Sequence, residues 1–170
     1  MPTVIPGSSP DSALINTYAN IPGGHTDCFY VDVSNKVTLT EFILVFFNTP
    51  VFRLERLLLS ISPSGRSTRQ DIADLASGSG KTMAIWKVES RTDTQLIMSV
   101  GNGPIRTWLM VDSDSRESGT SRLYFGTAVL PTKTARDGQP NQSKVFHMLA
   151  GFHEYYSRLL LWMAARQFER

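Results

Sequence analysis

The chain of 170 residues has a single cysteine, three histidines and no long apolar run. One cysteine, Cys28, excludes an internal disulfide and any all-thiolate zinc site, and it is typical of proteins from a reducing compartment. The densest apolar stretches, residues 42–47 and 159–165, are far shorter than the roughly 18 residues that a membrane span requires. The first 13 residues contain no basic side chain, so they lack the charged start of a signal peptide. These absences predict a cytoplasmic protein without a membrane span.

The chain also lacks an excess of charge of either sign. It has 17 basic and 15 acidic residues, and no run of five like charges occurs. This balance argues against a nucleic-acid partner, and a hydrophobic content of 41% excludes a disordered chain. The length fits one domain. Because prolines and glycines are frequent near the start, we predict a flexible arm over residues 1–25 and a single domain over residues 26–170.

The motifs of common cofactor and metal sites are incomplete. The segment Gly78–Thr82 is similar to the end of a phosphate-binding loop, but Leu75 stands where the first glycine should be. The elements around it are also predicted in the order helix, loop, strand, whereas such a site needs a helix N-terminus after the loop. No two of the three histidines have the i, i+4 spacing of a helical metal site. We therefore predict neither a cofactor nor a metal.

The hydrophobic periodicity predicts mainly helices first and antiparallel strands afterwards. A strand over Asp27–Val33 alternates between two faces, and the spacing of Thr38 and Glu41 is that of a capping box at a helix N-terminus. The predicted helices cover Thr38–Phe47, Pro50–Ile61 and Arg69–Ala76. The later strands are predicted over Thr82–Ser90, Gln95–Val100, Ile105–Asp112 and Ser121–Leu130. Their short connections are typical of an antiparallel meander.

The C-terminal segment admits two interpretations. One helix over Gln142–Arg170 would be roughly 43 Å long, whereas neighbouring strands of about eight residues span only about 26 Å. The alternative places a strand over Lys144–Ala150, a break at Gly151 and a helix over Phe152–Phe168 that matches the sheet in length. We adopt the alternative, which makes Asp137-Gly138 the tip of a long hairpin with the preceding strand. The buried stripe of the last helix is then predicted to contain Phe152, Tyr156, Leu159, Leu160 and Met163.

Four short stretches carry a resemblance to a known family. They are Phe46-Phe47-x-x-Pro50 running into Phe52–Leu59, Leu123–Val129 with its Thr127-Ala128-Val129, Val145-Phe146, and Phe152-His153. With the predicted order of elements, they resemble the START-like, helix-grip (SRPBCC-type) superfamily, and within it a bacterial family of unknown function. The resemblance implies an α+β fold in which a curved antiparallel β-sheet grips a long C-terminal helix and leaves a cavity between them. The chain departs from the family at Gly151, where a proline usually precedes Phe-His.

The implied cavity needs apolar walls and a few polar groups that orient a ligand. The candidate ligand-binding residues are Trp86, Met98, Arg106, Trp108, Met110, Tyr124, Phe146 and His153. Arg106 shares a strand face with Trp108, and its planar guanidinium would bind a carboxylate on the ligand. His153 is predicted in the first turn of the last helix, where the macrodipole disfavours a cation, so we expect a neutral imidazole that both donates and accepts.

Three classes of function follow from this interpretation. The first, implied by the resemblance, is binding of a small, mainly hydrophobic or amphipathic molecule in the cavity. The second is a cyclase- or dehydratase-like enzyme that uses the same cavity and needs an acid–base pair inside it. The third is a protein–protein interaction module with a filled core. Because two strands are apolar on both faces, the second sheet face is predicted to be covered by the N-terminal arm or by a second subunit, which leaves a homodimer open.

Overall fold

The computed structural model describes residues 2–53, 67–113, 119–131 and 144–169, with side-chain surroundings from residue 153 onward in the last range. The architecture is α+β, with one seven-stranded antiparallel sheet. The strands are β1 (Ile5–Pro6), β2 (His25–Val33), β3 (Thr82–Met83), β4 (Trp86–Arg91), β5 (Gln95–Val100), β6 (Ile105–Asp112) and β7 (Ser121–Val129). The helices are a 3₁₀ turn (Leu14–Tyr18), α1 (Leu39–Phe47), α2 (Arg69–Ser77) and α3 (Lys144–Phe168).

Local capping signals account for the first two helices. Thr38 and Glu41 form the predicted capping box at the start of α1, and Thr68 forms the same arrangement with Asp71 at the start of α2. Helix α2 ends at Gly78, which adopts a left-handed conformation with φ of 86° that glycine allows without strain. Residues 50–53 are helical too, while the rest of the helix predicted over Pro50–Ile61 lies outside the described residues.

The strand order is β1-β2-β7-β6-β5-β4-β3, so the first long strand pairs with the last one. Strands β5 and β6 have the predicted bounds, and β7 ends one residue early. The strand predicted over Thr82–Ser90 is instead divided into β3 and β4 at Ala84, whose φ is 51°. A non-glycine residue with this dihedral angle interrupts the extended backbone, and the alternating side chains give no sign of it.

The strand predicted over Lys144–Ala150 is wrong, because these residues are helical and continue into the rest of α3. Such a strand would have to pair with β7, as the predicted hairpin requires. Both edges of β7 are already occupied, by β6 on one side and by β2 along the full length of the strand on the other. The backbone of Lys144–Ala150 instead forms helical hydrogen bonds as part of α3. The predicted hairpin tip at Asp137-Gly138 lies outside the described residues.

The sheet has a helix side and an arm side. On the helix side, α1, α2 and α3 cover a large apolar core that includes Phe46, Phe125 and Leu109. On the arm side, the 3₁₀ turn of the N-terminal arm covers a smaller cluster around Ile15 and Trp108. The sequence predicted that either the arm or a second subunit covers this face of the sheet. The arm covers it.

Helix α3 packs on the sheet through a stripe different from the predicted one. Its buried residues are Ser157, Leu160, Leu161, Ala164 and Ala165. Of the predicted stripe, Leu160 is buried, Tyr156, Leu159 and Met163 are partly buried, and the side chain of Phe152 is not among those described. Residues 159–165 are apolar all round the helix, so hydrophobicity alone does not fix its rotation. Three of the five buried side chains, Ser157, Ala164 and Ala165, are small.

Candidate functional site

The sheet divides seven of the eight predicted ligand-binding residues into two groups. Trp86 and Met98 are buried in the core of the helix side, and His153 projects from α3 toward the same side. Trp108, Met110 and Tyr124 belong to the cluster under the arm, and Arg106 shares their face. The predicted common face of Arg106 and Trp108 is confirmed. The side chain of Phe146 is not described. No single cavity on one side of the sheet can therefore be lined by the whole set.

The polar groups of the helix side gather around the imidazole of His153. Its Nε2 atom lies 3.0 Å from Thr127 Oγ1, 3.3 Å from Asp27 Oδ2 and 3.5 Å from Ser157 Oγ. The second carboxylate oxygen of Asp27 accepts a hydrogen bond from the backbone N–H of Thr127 at 2.8 Å. We call these four residues, Asp27, Thr127, His153 and Ser157, the His153 cluster. It connects α3 with β2 and β7.

Backbone geometry brings the members of the His153 cluster together. Asp27 and Thr127 are direct partners in the pairing of β2 with β7. His153 and Ser157 are four residues apart in α3, so their side chains lie on the same helical face. Thr127 and Ser157 are buried, with 3% and 0% of their surface exposed, whereas the side chains of Asp27 and His153 retain 17% and 37%. The imidazole and the carboxylate are therefore the two members that a ligand could reach.

The carboxylate of Asp27 fixes the hydrogen-bonding role of the imidazole. A carboxylate oxygen accepts, so the tautomer that donates to Asp27 carries its proton on Nε2, and in that tautomer Nδ1 is an acceptor. Of the two ring nitrogens of His153, Nε2 is the one that has partners among the described residues. The prediction that His153 lies in the first turn of the helix is wrong, because α3 begins nine residues earlier at Lys144.

Asp27, Thr127 and Ser157 are not among the predicted ligand-binding residues, although local signals pointed to Asp27 and Ser157. Asp27 has the same parity in β2 as the buried Phe29, so it places a carboxylate at a core position. Ser157 follows His153 at i, i+4. The pairing of Asp27 with Thr127 depends on strand register across 100 residues, which no local pattern encodes.

Arg106 has a partner within the chain. Its Nε atom donates to Glu89 Oε2 at 3.0 Å, and its Nη1 atom donates to the carbonyl of Gly103 at 2.7 Å. The same Glu89 oxygen accepts a hydrogen bond from the hydroxyl of Tyr18 at 2.7 Å, and the guanidinium lies 5.8 Å from the Tyr18 ring. Arg106 thus lies on the opposite side of the sheet from α3, and it cannot hold a carboxylate in a cavity under that helix.

Gln95 forms hydrogen bonds with both Trp108 and the arm on the arm side of the sheet. Its side-chain oxygen accepts hydrogen bonds from the indole N–H of Trp108 at 3.0 Å and from the backbone N–H of Leu14 at 2.8 Å. Its amide nitrogen donates to the carbonyl of Ser12 at 3.0 Å. The Gln95 amide is therefore one of the groups that attach the arm to the sheet, together with the pairing of β1 with β2, and Trp108 is completely buried beneath the arm.

Cys28 lies under the arm as a buried thiol. Burial, and to a smaller extent the neighbouring Asp27, raises its pKa to about 11. The thiolate, which is the reactive form, is therefore rare near neutral pH. Within the described ranges, no three His, Cys, Asp or Glu side chains are grouped so that they could hold a metal ion.

The helices in the described part of the chain are too short or too polar to cross a membrane. No protein-family model matches this chain, and neither a curated protein nor a solved structure matches it. What the protein does has to be inferred from its own residues.

Proposed function

We propose that the chain has the helix-grip fold and binds a small amphipathic molecule between the sheet and α3. The order of elements supports this fold: helices follow the first long strand, a meander of strands comes next, and a helix packed against the sheet ends the chain. The pairing of β2 with β7 supports it as well, because it makes one continuous sheet from the two ends of the domain.

The observation that carries the proposed function is the His153 cluster. The surrounding surface of the sheet and of α3 is apolar, with Phe29, Phe125 and Leu161 almost completely buried. Ligand sites commonly combine such apolar walls with a few polar groups that fix the orientation of the ligand. In this proposal the partly exposed His153 and Asp27 contact the polar end of the molecule, and Thr127 and Ser157 hold the imidazole in place.

The charge of the cluster determines which polar group it would accept. Asp27 offers a carboxylate as an acceptor, and the imidazole adds a second acceptor at Nδ1 when the ring is neutral. A hydroxyl or an amide N–H on the ligand can donate to these groups, whereas a ligand carboxylate would be repelled by Asp27. We therefore propose a neutral, hydroxyl-bearing amphipathic ligand in place of the acid expected from Arg106.

Native mass spectrometry of the protein purified from its own host would reveal a bound small molecule. Binding is then measured with 1-decanol and decanoate as probes, followed by tryptophan fluorescence, since Trp86 lies on the helix side. We expect 1-decanol to bind more tightly than decanoate. His153→Ala and Asp27→Asn should each weaken 1-decanol binding about tenfold, the effect of losing one good hydrogen bond.

The matched control is His25→Ala, which removes an exposed histidine from the same strand as Asp27. It should leave the affinity for 1-decanol unchanged. If neither probe binds at millimolar concentration to the folded protein, the proposal is wrong and the filled-core interaction module is the better interpretation. If 1-decanol binds but His153→Ala keeps its affinity within twofold, the His153 cluster does not contact the ligand.

An enzyme of the cyclase or dehydratase type is the second candidate, and the close pair of His153 and Asp27 favours it. A positioned imidazole beside a carboxylate is a common acid–base arrangement. The test is incubation of any co-purified molecule with the protein, followed by mass spectrometry. Conversion that stops in Asp27→Asn while binding persists would support the enzyme. An unchanged mass together with an unchanged chromatographic retention time with the wild type would exclude it for that molecule, because a cyclisation conserves the mass and changes the retention time.

A further inference from the structure

A second candidate site lies on the arm side, at the turn between β5 and β6. Lys87, Glu89, Ser99 and Arg106 line it together with the turn residues 101–103, and the cleft has a volume of about 490 Å³. We call it the Arg106 cleft. Its volume falls within the roughly 300–1,000 Å³ typical of small-molecule sites. It is separated from the His153 cluster by the full thickness of the sheet.

Strand register aligns the polar side chains of the cleft. Lys87 of β4 pairs with Ser99 of β5, and Ser99 pairs with Arg106 of β6. Direct partners in an antiparallel sheet point to the same face, so an amine, a hydroxyl and a guanidinium stand in one row across three strands. The hydroxyl of Ser99 donates to the backbone carbonyl of Lys87 at 3.4 Å, so the amine and the guanidinium are the donors of the row. These two cations present donors to one small molecule.

The charges of the cleft do not cancel. Glu89 is engaged by Arg106 through the 3.0 Å ion pair and by the Tyr18 hydroxyl. In the described part of the chain, the ammonium group of Lys87 has neither an ion-pair nor a hydrogen-bond partner. Arg106 uses Nε and Nη1 in its contacts with Glu89 and the turn, so Nη2 keeps its two donors for a ligand. One positive charge and several unused donors remain.

The turn itself leaves room for a ligand. Gly101 has a φ of 57°, and a Cβ added at this position would meet no atom within 4 Å. The amide side chain of Asn102 completes the rim of the cleft. The space beside Gly101 is therefore open.

We propose that the Arg106 cleft binds a small organic anion, whose phosphate or carboxylate group lies between Lys87 and Arg106. The cleft offers an ammonium and a guanidinium as donors. A phosphate and a carboxylate both supply the oxyanion that accepts from them. This site is independent of the proposed ligand on the helix side, because no residue is common to both.

The test is an NMR titration of the ¹⁵N-labelled protein with phenyl phosphate, benzoate and benzyl alcohol. The three probes share a phenyl ring and differ in the group that Lys87 and Arg106 would recognise. We expect phenyl phosphate or benzoate to shift the amide signals of Gly101, Asn102 and Gly103 and to reach saturation at millimolar concentration. The anion that binds more tightly shows whether the cleft prefers a phosphate or a carboxylate. Benzyl alcohol should leave these signals in place.

Lys87→Ala should weaken binding of the preferred anion about tenfold, and Lys87→Glu should abolish it. Lys36→Ala is the matched control, since Lys36 is an exposed lysine in the loop between β2 and α1. It should keep the wild-type affinity, as should His153→Ala on the other side of the sheet. Equal effects of Lys87→Ala and Lys36→Ala, equal shifts with benzyl alcohol, or no saturable shift with either anion would each overturn the proposal. The dispersion of the spectrum reports whether each variant is folded.

Discussion

The two sides of the sheet are covered by different kinds of structure. On the helix side, Phe46 lies at the centre of an aromatic network with ring centroids 5.8 Å from Phe42, 5.4 Å from Phe47 and 5.0 Å from Phe125. On the arm side, the 3₁₀ turn is held by hydrogen bonds to the amide of Gln95 and from the hydroxyl of Tyr18 to Glu89, and β1 pairs with β2. The helix side is therefore stabilised by filled volume, and the arm side by a few directional hydrogen bonds. Each side should be sensitive to a different kind of substitution.

The largest effect is expected from Phe46→Ala on the helix side. Phe46 is fully buried, and its removal leaves a cavity among four aromatic rings. We expect the free energy of unfolding to fall by about 3–5 kcal/mol. Urea denaturation followed by circular dichroism measures it. A loss below about 1 kcal/mol would mean that the helix side is not held by packed volume.

An alkaline transition should come from Cys28 on the arm side. Its pKa is raised from 9.0 to about 11 in the folded state, so the neutral thiol is favoured by folding. This contribution is complete below about pH 9 and is lost as the pH rises through 11, at a cost of about 2–3 kcal/mol. The measurement compares urea denaturation of the wild type and Cys28→Ala between pH 8 and 11. Equal alkaline losses in both proteins would contradict the prediction.

Removing the hydrogen bonds of Gln95 should loosen the arm more than the helices. In Gln95→Met the indole N–H of the buried Trp108 loses its partner, and we expect a loss of about 1–3 kcal/mol. Hydrogen exchange of residues 12–18 should accelerate, while that of α1 should follow only the global change in stability. Gln70→Met, at an exposed position of α2, is the control and should change stability by less than about 0.5 kcal/mol. Similar exchange of the arm in both variants would show that Gln95 does not hold it.

The smallest effect is expected from Tyr18→Phe, which removes one hydrogen bond at the end of the arm. The hydroxyl of Tyr18 donates to Glu89, and the ring remains in place beside Arg106. We expect a loss of about 0.5–1.5 kcal/mol and faster exchange near residue 18. Lys36→Ala, which removes no such bond, provides the reference. If Tyr18→Phe lowers the free energy of unfolding as much as Gln95→Met does, the hydrogen bond between Tyr18 and Glu89 holds the arm as strongly as Gln95 does.

Features with local signals were predictable from the sequence. The capping box of Thr38 and Glu41 and the alternation within β5 and β6 place these elements correctly, because a few neighbouring residues determine them. The C-terminal segment was not predictable in this way. Whether residues 144–150 form a strand depends on whether β7 has a free edge, and the pairing with β2 removes that edge.

The candidate site shows the same limit. Alternation correctly places Arg106 and Trp108 on one face, but the side of the sheet that this face occupies depends on where the arm and α3 pack. Asp27 was missed because a single carboxylate in a strand has no recognisable partner until β7 lies beside it. The chemistry of the His153 cluster is assembled from three segments of the chain, and no one of them reveals it.

The pairing of β2 with β7 also has a consequence during synthesis of the chain. Asp27 and its partner Thr127 are 100 residues apart, so β2 leaves the ribosome long before the strand that will cover its edge. At about 5–20 residues per second, this interval lasts roughly 5–20 seconds. During that time one edge of β2 is open to pairing with other chains, and closing so long a loop makes folding slow. A nascent chain stalled before residue 121 should therefore depend on chaperones, and this dependence should end once β7 has emerged.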